Sequence, residues 1–154
     1  MTGSDEKPEG LAAGFRDTPI ERAGRNEIAD FVRRELAPRA EFALLFGSVN
    51  GPYFRDDSDV DVAALFLEPA PDFAERAEIA DRISLAARRE IDLVSLNDAD
   101  VIITMQALAN GELILCRNES AFVKFKALAM SKYIDFKMSR KIIEDHLTNG
   151  RIYA

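Results

Sequence analysis

Two hydrophobic rhythms alternate along this chain, one with apolar residues at helical spacing and one of short, nearly unbroken apolar runs. The changes between them fall at Gly, Pro, Asn or Asp. Thr18-Pro19-Ile20-Glu21 reads as a capping box with proline at the first helical position. It predicts a helix to about Leu36, ahead of Pro38, with Ile28, Phe31, Val32 and Leu36 on one apolar face. Gly24 inside that helix costs roughly 1 kcal/mol against alanine. Phe42 to Phe46 predicts a buried strand meeting a sharp turn at Gly47-Ser48, and Asp59-Val60-Asp61-Val62 begins a second strand that continues to Phe66.

Pro69 and Pro71 then mark a loop, and Asp72-x-x-Glu75 caps a helix from Phe73 to about Arg89. Ile91 to Leu96 predicts a third strand. Asn97 or Asp98 caps a short helix through Val101 to Leu108, Asn110-Gly111 stops it, and Glu112 to Cys116 is a further apolar segment. From about Glu119 to His146, Phe122, Phe125, Leu128, Ala129, Tyr133, Phe136, Ile142, Ile143 and Leu147 recur at roughly helical spacing. A helix of that length, about 40 Å at 1.5 Å per residue, overhangs a small domain and offers a partner surface.

Met1 to Asp17 carries few large apolar residues, so burial there cannot offset the entropy of ordering; the expectation is a mobile tail at 1–17 and a single domain over 18–154. The 154 residues suit one domain, and an apolar share of 47% suggests neither disorder nor a membrane class. No run approaches the roughly 20 apolar residues of a membrane helix and no signal peptide precedes Thr18, which predicts a cytoplasmic protein with no membrane partner. Cys116 is alone and sits in an apolar stretch, as a buried small hydrophobe would.

The net charge of −7 argues against direct nucleic-acid binding through phosphate contacts. Its distribution adds more. From Asn118 onward seven basic residues face four acidic ones, so the final segment is positive within an acidic chain. His146, the single histidine, falls near a helix C-terminus, where a dipole contact is the expected role.

Chemistry concentrates between Phe42 and Phe66. Side chains alternate along a strand, so Asp59 and Asp61 share a face with Cα atoms about 6 to 7 Å apart, while Val60 and Val62 point into the core. Two carboxylates on an apolar strand repel one another and lose hydration. A divalent cation compensates them, and Mg²⁺ commonly takes one or two carboxylates with phosphates and waters. Glycine admits close backbone approach, and the N–H groups of Gly47 and Ser48 with the Ser48 hydroxyl can hold phosphate oxygens.

Gly47-Ser48, ten intervening residues and Asp59-x-Asp61 together resemble the signature of the DNA polymerase β-like nucleotidyltransferases, and the short chain resembles their minimal nucleotidyltransferase (MNT) branch. The resemblance implies an α/β (α+β) fold with a small mixed sheet flanked by helices and a long C-terminal helix. It also implies nucleotide binding at Gly47 and Ser48, and metal ligation and catalysis at Asp59 and Asp61. If its strand lies beside Asp-x-Asp, the resemblance also implies Asp92 as the third carboxylate, a metal ligand and catalytic residue that helps a second metal or itself activates the attacking hydroxyl.

The order of the later segments is similar to that of MntA-type antitoxins of MNT/HEPN toxin–antitoxin pairs. Those segments are Ile91 to Asn97, a short helix, Asn110 to Leu115, then Tyr133-Ile134-Asp135-Phe136-Lys137. What this implies is Mg²⁺-dependent transfer of AMP from ATP to a tyrosine of a HEPN ribonuclease toxin. The chain departs from the family at Val49-Asn50-Gly51-Pro52, where an Arg commonly follows Gly-Ser, and Arg55 is the cation available to substitute. Two alternatives stay open: an antitoxin that masks its toxin by binding alone, and a nucleotidyltransferase for a small molecule such as an aminoglycoside. The last ranks lowest, because only about 35 residues follow Cys116 to close over an acceptor.

Overall fold

The computed structural model describes residues 21–148. Four strands form one mixed sheet in the order β3-β2-β1-β4, where β1 is Ala40–Phe46, β2 Val60–Phe66, β3 Ile91–Ser95 and β4 Glu112–Cys116. β1 runs antiparallel to both β2 and β4, and β3 lies parallel to β2. Helix α1 is Arg25–Leu36, α2 Phe73–Ala87, α3 Val101–Asn110 and α4 Glu119–Thr148. The parallel β2–β3 pair requires a crossover, and α2 supplies it.

Alternation along the two central strands divides the interior into two layers. Ala43, Leu45, Val60, Val62 and Ala64 face one side, where they pack with Ile28, Val32 and Leu36 of α1 and Ile79 and Ile83 of α2. Phe42, Leu44, Phe46 and Ala63 face the other side and meet Ala107 of α3. Phe42 makes edge-to-face contacts with Phe122 and Phe125 at centroid distances of 4.8 and 5.3 Å, which seat the first turns of α4 on the sheet. Such pairs contribute about 0.5–1.5 kcal/mol beyond their buried area.

The expected tail at 1–17 and most of the Thr18 capping box lie outside the described residues. Residues 21–24 are not helical, and α1 begins after Gly24, whose N–H donates to Glu27 Oε1 at 3.3 Å. Gly24 therefore sits at the cap, where extended backbone suits it, and its interior cost does not arise. Asp72 caps α2 as expected, accepting from the Glu75 N–H at 2.8 Å. That helix stops at Ala87, because Arg88 turns left-handed at φ 56°.

The cap of α3 is Asp100, which accepts from the Ile103 N–H at 2.8 Å, in place of Asn97 or Asp98. Asn97 instead bridges to β2, accepting from the Phe66 N–H at 2.8 Å and donating to the Phe66 carbonyl at 3.0 Å. Its amide imitates a strand backbone just where β3 has run out. Helix α4 has one buried residue, Ala129, and beyond it Ile134, Met138, Ile142 and Ile143 are each more than half exposed. Among the described residues no helix is long and apolar enough to cross a membrane.

Candidate active site

The two predicted halves of the site meet where β1 ends and β2 begins. Phe46 pairs directly with Asp61 across the antiparallel ladder, so the residue that follows Phe46, Gly47, lands against the Asp61 carboxylate. A Cβ built on Gly47 would overlap Asp61 Oδ2, and Asp61 Cγ lies 3.3 Å from that point. Gly47 also has φ +81°, a conformation that side-chain-bearing residues rarely adopt. The glycine is thus required twice, once by the turn and once by the carboxylate it abuts.

Gly47–Asn50 forms a single 3-10 turn. Val49 anchors it in the core and is 3% exposed, while Ser48 faces outward. Asn50 Nδ2 donates to the Leu45 carbonyl at 2.7 Å and Arg25 Nε donates to Asn50 Oδ1 at 3.3 Å. Val49 and Asn50, the residues directly after Gly-Ser, therefore hold the turn in place. The basic group brought to this turn is Arg25, which is also paired with Glu112. Sequence reasoning missed it, since 25 residues separate it from Asn50.

On the other side of β2, the parallel register sets Asp61 opposite Asp92, as the third-carboxylate expectation requires. Asp59 lies just before β2 and is exposed, one residue short of the strand predicted to hold it. Asp92 is exposed on the edge strand and Asp61 is half-buried. The Asp61 carboxyl titrates above its ordinary 3.8, first because burial strips its hydration, then because Asp92 and Asp59 repel its charge. Both neighbouring acids thus act electrostatically on Asp61.

Among the described residues no three acidic, His or Cys side chains already converge on one point as metal ligands would. The donor set nevertheless fits a hard divalent cation. Its oxygens are carboxylate, their crowded negative charge helps raise the Asp61 carboxyl above its ordinary value, and Mg²⁺ asks for only one or two carboxylates when phosphates and water complete its shell.

The family model "Polymerase beta, Nucleotidyltransferase" matches residues 26–120, a span that contains the glycine turn and all three acids. The chain belongs to the polymerase β nucleotidyltransferase family. The matched span takes in the whole sheet and stops at the second residue of α4, so the long helix stands outside it.

The protein adenylyltransferase MntA of Shewanella oneidensis is 24% identical over 131 residues, covering 84% of this chain and 92% of that one. A chain in a toxin–antitoxin crystal structure with AMP-PNP superposes with a TM-score of 0.69 at 25% identity, covering 82% of this chain and 99% of that chain. A third similar structure is of a tri-AMPylated Shewanella oneidensis HEPN toxin in complex with MNT antitoxin. It has a TM-score of 0.62 at 25% identity and covers 80% of this chain and 95% of its own. The nucleotidyltransferase fold expected from the motif, with its mixed sheet and long C-terminal helix, is the one observed.

Proposed function

We propose that this chain is an antitoxin that transfers AMP from ATP to a tyrosine of a HEPN-type toxin and so silences it. The observation that carries the reading is the register that gathers Gly47, Asp61 and Asp92 at one end of the sheet, with Asp59 one step outside it. The similarity to an MntA adenylyltransferase and to toxin–antitoxin structures supports the choice of acceptor.

In this mechanism the backbone N–H groups at Gly47 and Ser48, with the Ser48 hydroxyl, hold the terminal phosphates of ATP. Asp59 and Asp61 would hold Mg²⁺, which supplies charge neutralisation at the α-phosphate and the departing pyrophosphate. The tyrosine oxygen attacks the α-phosphorus, the bond to pyrophosphate breaks, and Asp92 takes the phenolic proton. Phosphoryl-type transfer is driven mainly by positioning and charge neutralisation, which asks of the protein a rigid frame more than a nucleophile. The strand pairing provides that frame.

Co-expression with the HEPN protein of a neighbouring reading frame tests the reading. Intact mass measurement is expected to show the partner heavier by whole AMP groups, only when Mg²⁺ and ATP are present. An unmodified but still inhibited partner would favour masking by binding alone. The structural duties of Val49 and Asn50, which leave no cation directly after Gly-Ser, are the observation on that side.

Asp92→Ala is expected to lower kcat and kcat/KM together, by about 10²-fold, with ATP affinity nearly unchanged, because proton removal matters only in the transition state. Single-turnover transfer beside equilibrium ATP binding checks this. An unchanged kcat would reduce Asp92 to an acid on an edge strand.

Toxin recognition we assign to the outer half of α4. Its exposed Ile134, Met138, Ile142 and Ile143 are flanked by Lys137, Arg140 and Lys141, and Arg140 pairs with its helix neighbour Glu144 at 3.0 Å. Rim charges govern association rate and salt dependence more than final affinity. Changing Lys137, Arg140 and Lys141 to Glu should slow association with the toxin by about 10-fold at low salt and flatten the salt dependence. Binding of ATP at Gly47-Ser48 should not change. Kinetics on immobilised toxin at two ionic strengths decide it, and unaltered association at both would place the interface elsewhere.

A further inference from the structure

Among the described residues Arg89 is the one charged side chain that the fold buries, at 7% exposure. A buried guanidinium is costly unless its N–H groups are paired, and two of its three nitrogens donate to backbone carbonyls. Nε donates to the Ala23 carbonyl at 2.8 Å, and one terminal nitrogen donates to the carbonyls of Arg55, Asp56 and Ser58 at 2.8, 3.0 and 3.4 Å. Its Cζ sits 4.3 Å from the centroid of the Phe54 ring. The remaining nitrogen lies 3.8 Å from Asp56 Oδ1, but that carboxylate is 89% exposed, so the ion pair itself contributes little. The grip is on backbone carbonyls of the loop 51–59, the segment that joins the Gly-Ser turn to Asp59.

The same stretch of chain also sets the other side of the site. The neighbouring Glu90 carbonyl accepts the Val60 N–H at 3.0 Å, which opens the parallel pairing that brings Asp61 beside Asp92. Asp59 is the residue between the clasped Ser58 and the paired Val60, so both of its neighbours are fixed from Arg89 and Glu90. On the proposed transferase reading, we infer that Arg89 is a positioning residue that holds Asp59 in place for a divalent cation by clasping the carbonyls of Arg55, Asp56 and Ser58.

Arg89→Lys tests this, because lysine keeps the charge but lacks the planar fork needed to reach several carbonyls at once. In the metal-free protein, hydrogen exchange at the Ser58 and Val60 amides should quicken by about 10-fold, while amides of β1 exchange as in wild type. Titration with Mn²⁺ should show affinity weakened by about 10-fold or more, the size expected when the support of a metal ligand is lost. Transfer at low Mg²⁺ should fall and recover as Mg²⁺ is raised. Asp56→Ala, which removes only the exposed ion pair, should leave exchange and Mn²⁺ affinity unchanged.

Equal quickening at all amides with unchanged Mn²⁺ affinity would make Arg89 a general stabiliser and overturn the inference. So would an Asp56→Ala variant as impaired as Arg89→Lys. Should wild type bind Mn²⁺ and the lysine variant bind it equally well, the inference alone fails. Should wild type bind no Mn²⁺, the transferase reading fails with it.

Discussion

Changing Asp59 and Asp61 together to Asn is expected to cut AMP transfer by at least about 10³-fold, the scale at which removal of a preorganised charge acts on a transition state. The fold should survive and become more stable in the absence of metal. The reason is in the electrostatics of Asp61, whose carboxyl is pushed above 3.8 by burial and then by Asp92 and Asp59. The folded chain holds that proton more tightly than the unfolded chain. Ionising Asp61 therefore costs stability, a cost that begins as pH rises past the unfolded value and is complete above the raised folded one. The double variant lacks it. Its Tm without metal should exceed that of wild type at pH 7, and the difference should close as pH is lowered toward 3.8. Addition of Mg²⁺ with ATP should reverse the order by stabilising wild type alone. Thermal melts across pH, with and without Mg²⁺-ATP, read both effects. Transfer near the wild-type rate in this variant would remove the carboxylates from the mechanism.

Gly47→Ala should injure both stability and activity, and activity more. At φ +81° a side-chain-bearing residue costs about 1–2 kcal/mol, and the new methyl would also displace the Asp61 carboxylate it overlaps. A drop of several degrees in Tm is expected from the first effect. From the second, transfer should fall by about 10²-fold or more even when every molecule is folded, since small misplacements of a reacting geometry cost that much. Transfer rates normalised to the folded fraction check this. A loss of activity no larger than the loss of folded protein would mean that Gly47 serves the turn alone.

Much of the site was legible in the chain before folding. The apolar run into Gly47-Ser48 and the alternation after Asp59 are local patterns. Strand periodicity alone puts Asp59 and Asp61 on one face and Val60 and Val62 on the other. Asp92 could be singled out as an acid in an apolar strand, but its role hung on an adjacency that no local pattern encodes. The parallel β2–β3 register decides that, by pairing Asp61 with Asp92 across 31 residues of chain.

The misplaced boundaries have the same origin. The true cap of α3, Asp100, lies close to rivals of equal local merit, Asn97 and Asp98, and tertiary structure separated them. Asn97 was wanted by the Phe66 backbone, where its amide completes a strand edge.

Sequence by itself determined the element types, the core-facing Val60 and Val62, the acidic pair opposite a glycine turn, and a C-terminal helix too long for the domain beneath it. Those follow from periodicity and turn chemistry, which act over a few residues. Only the tertiary structure decided that Gly47 must be bare because Asp61 stands against it, that Val49 and Asn50 are spent on holding the turn, and that a buried Arg89 clasps the loop before Asp59. Each of these depends on packing that the local pattern does not encode, such as Gly47 against Asp61 and Arg89 against Arg55, or on a buried polar atom's need for a partner, and neither requirement exists until the chain has closed on itself.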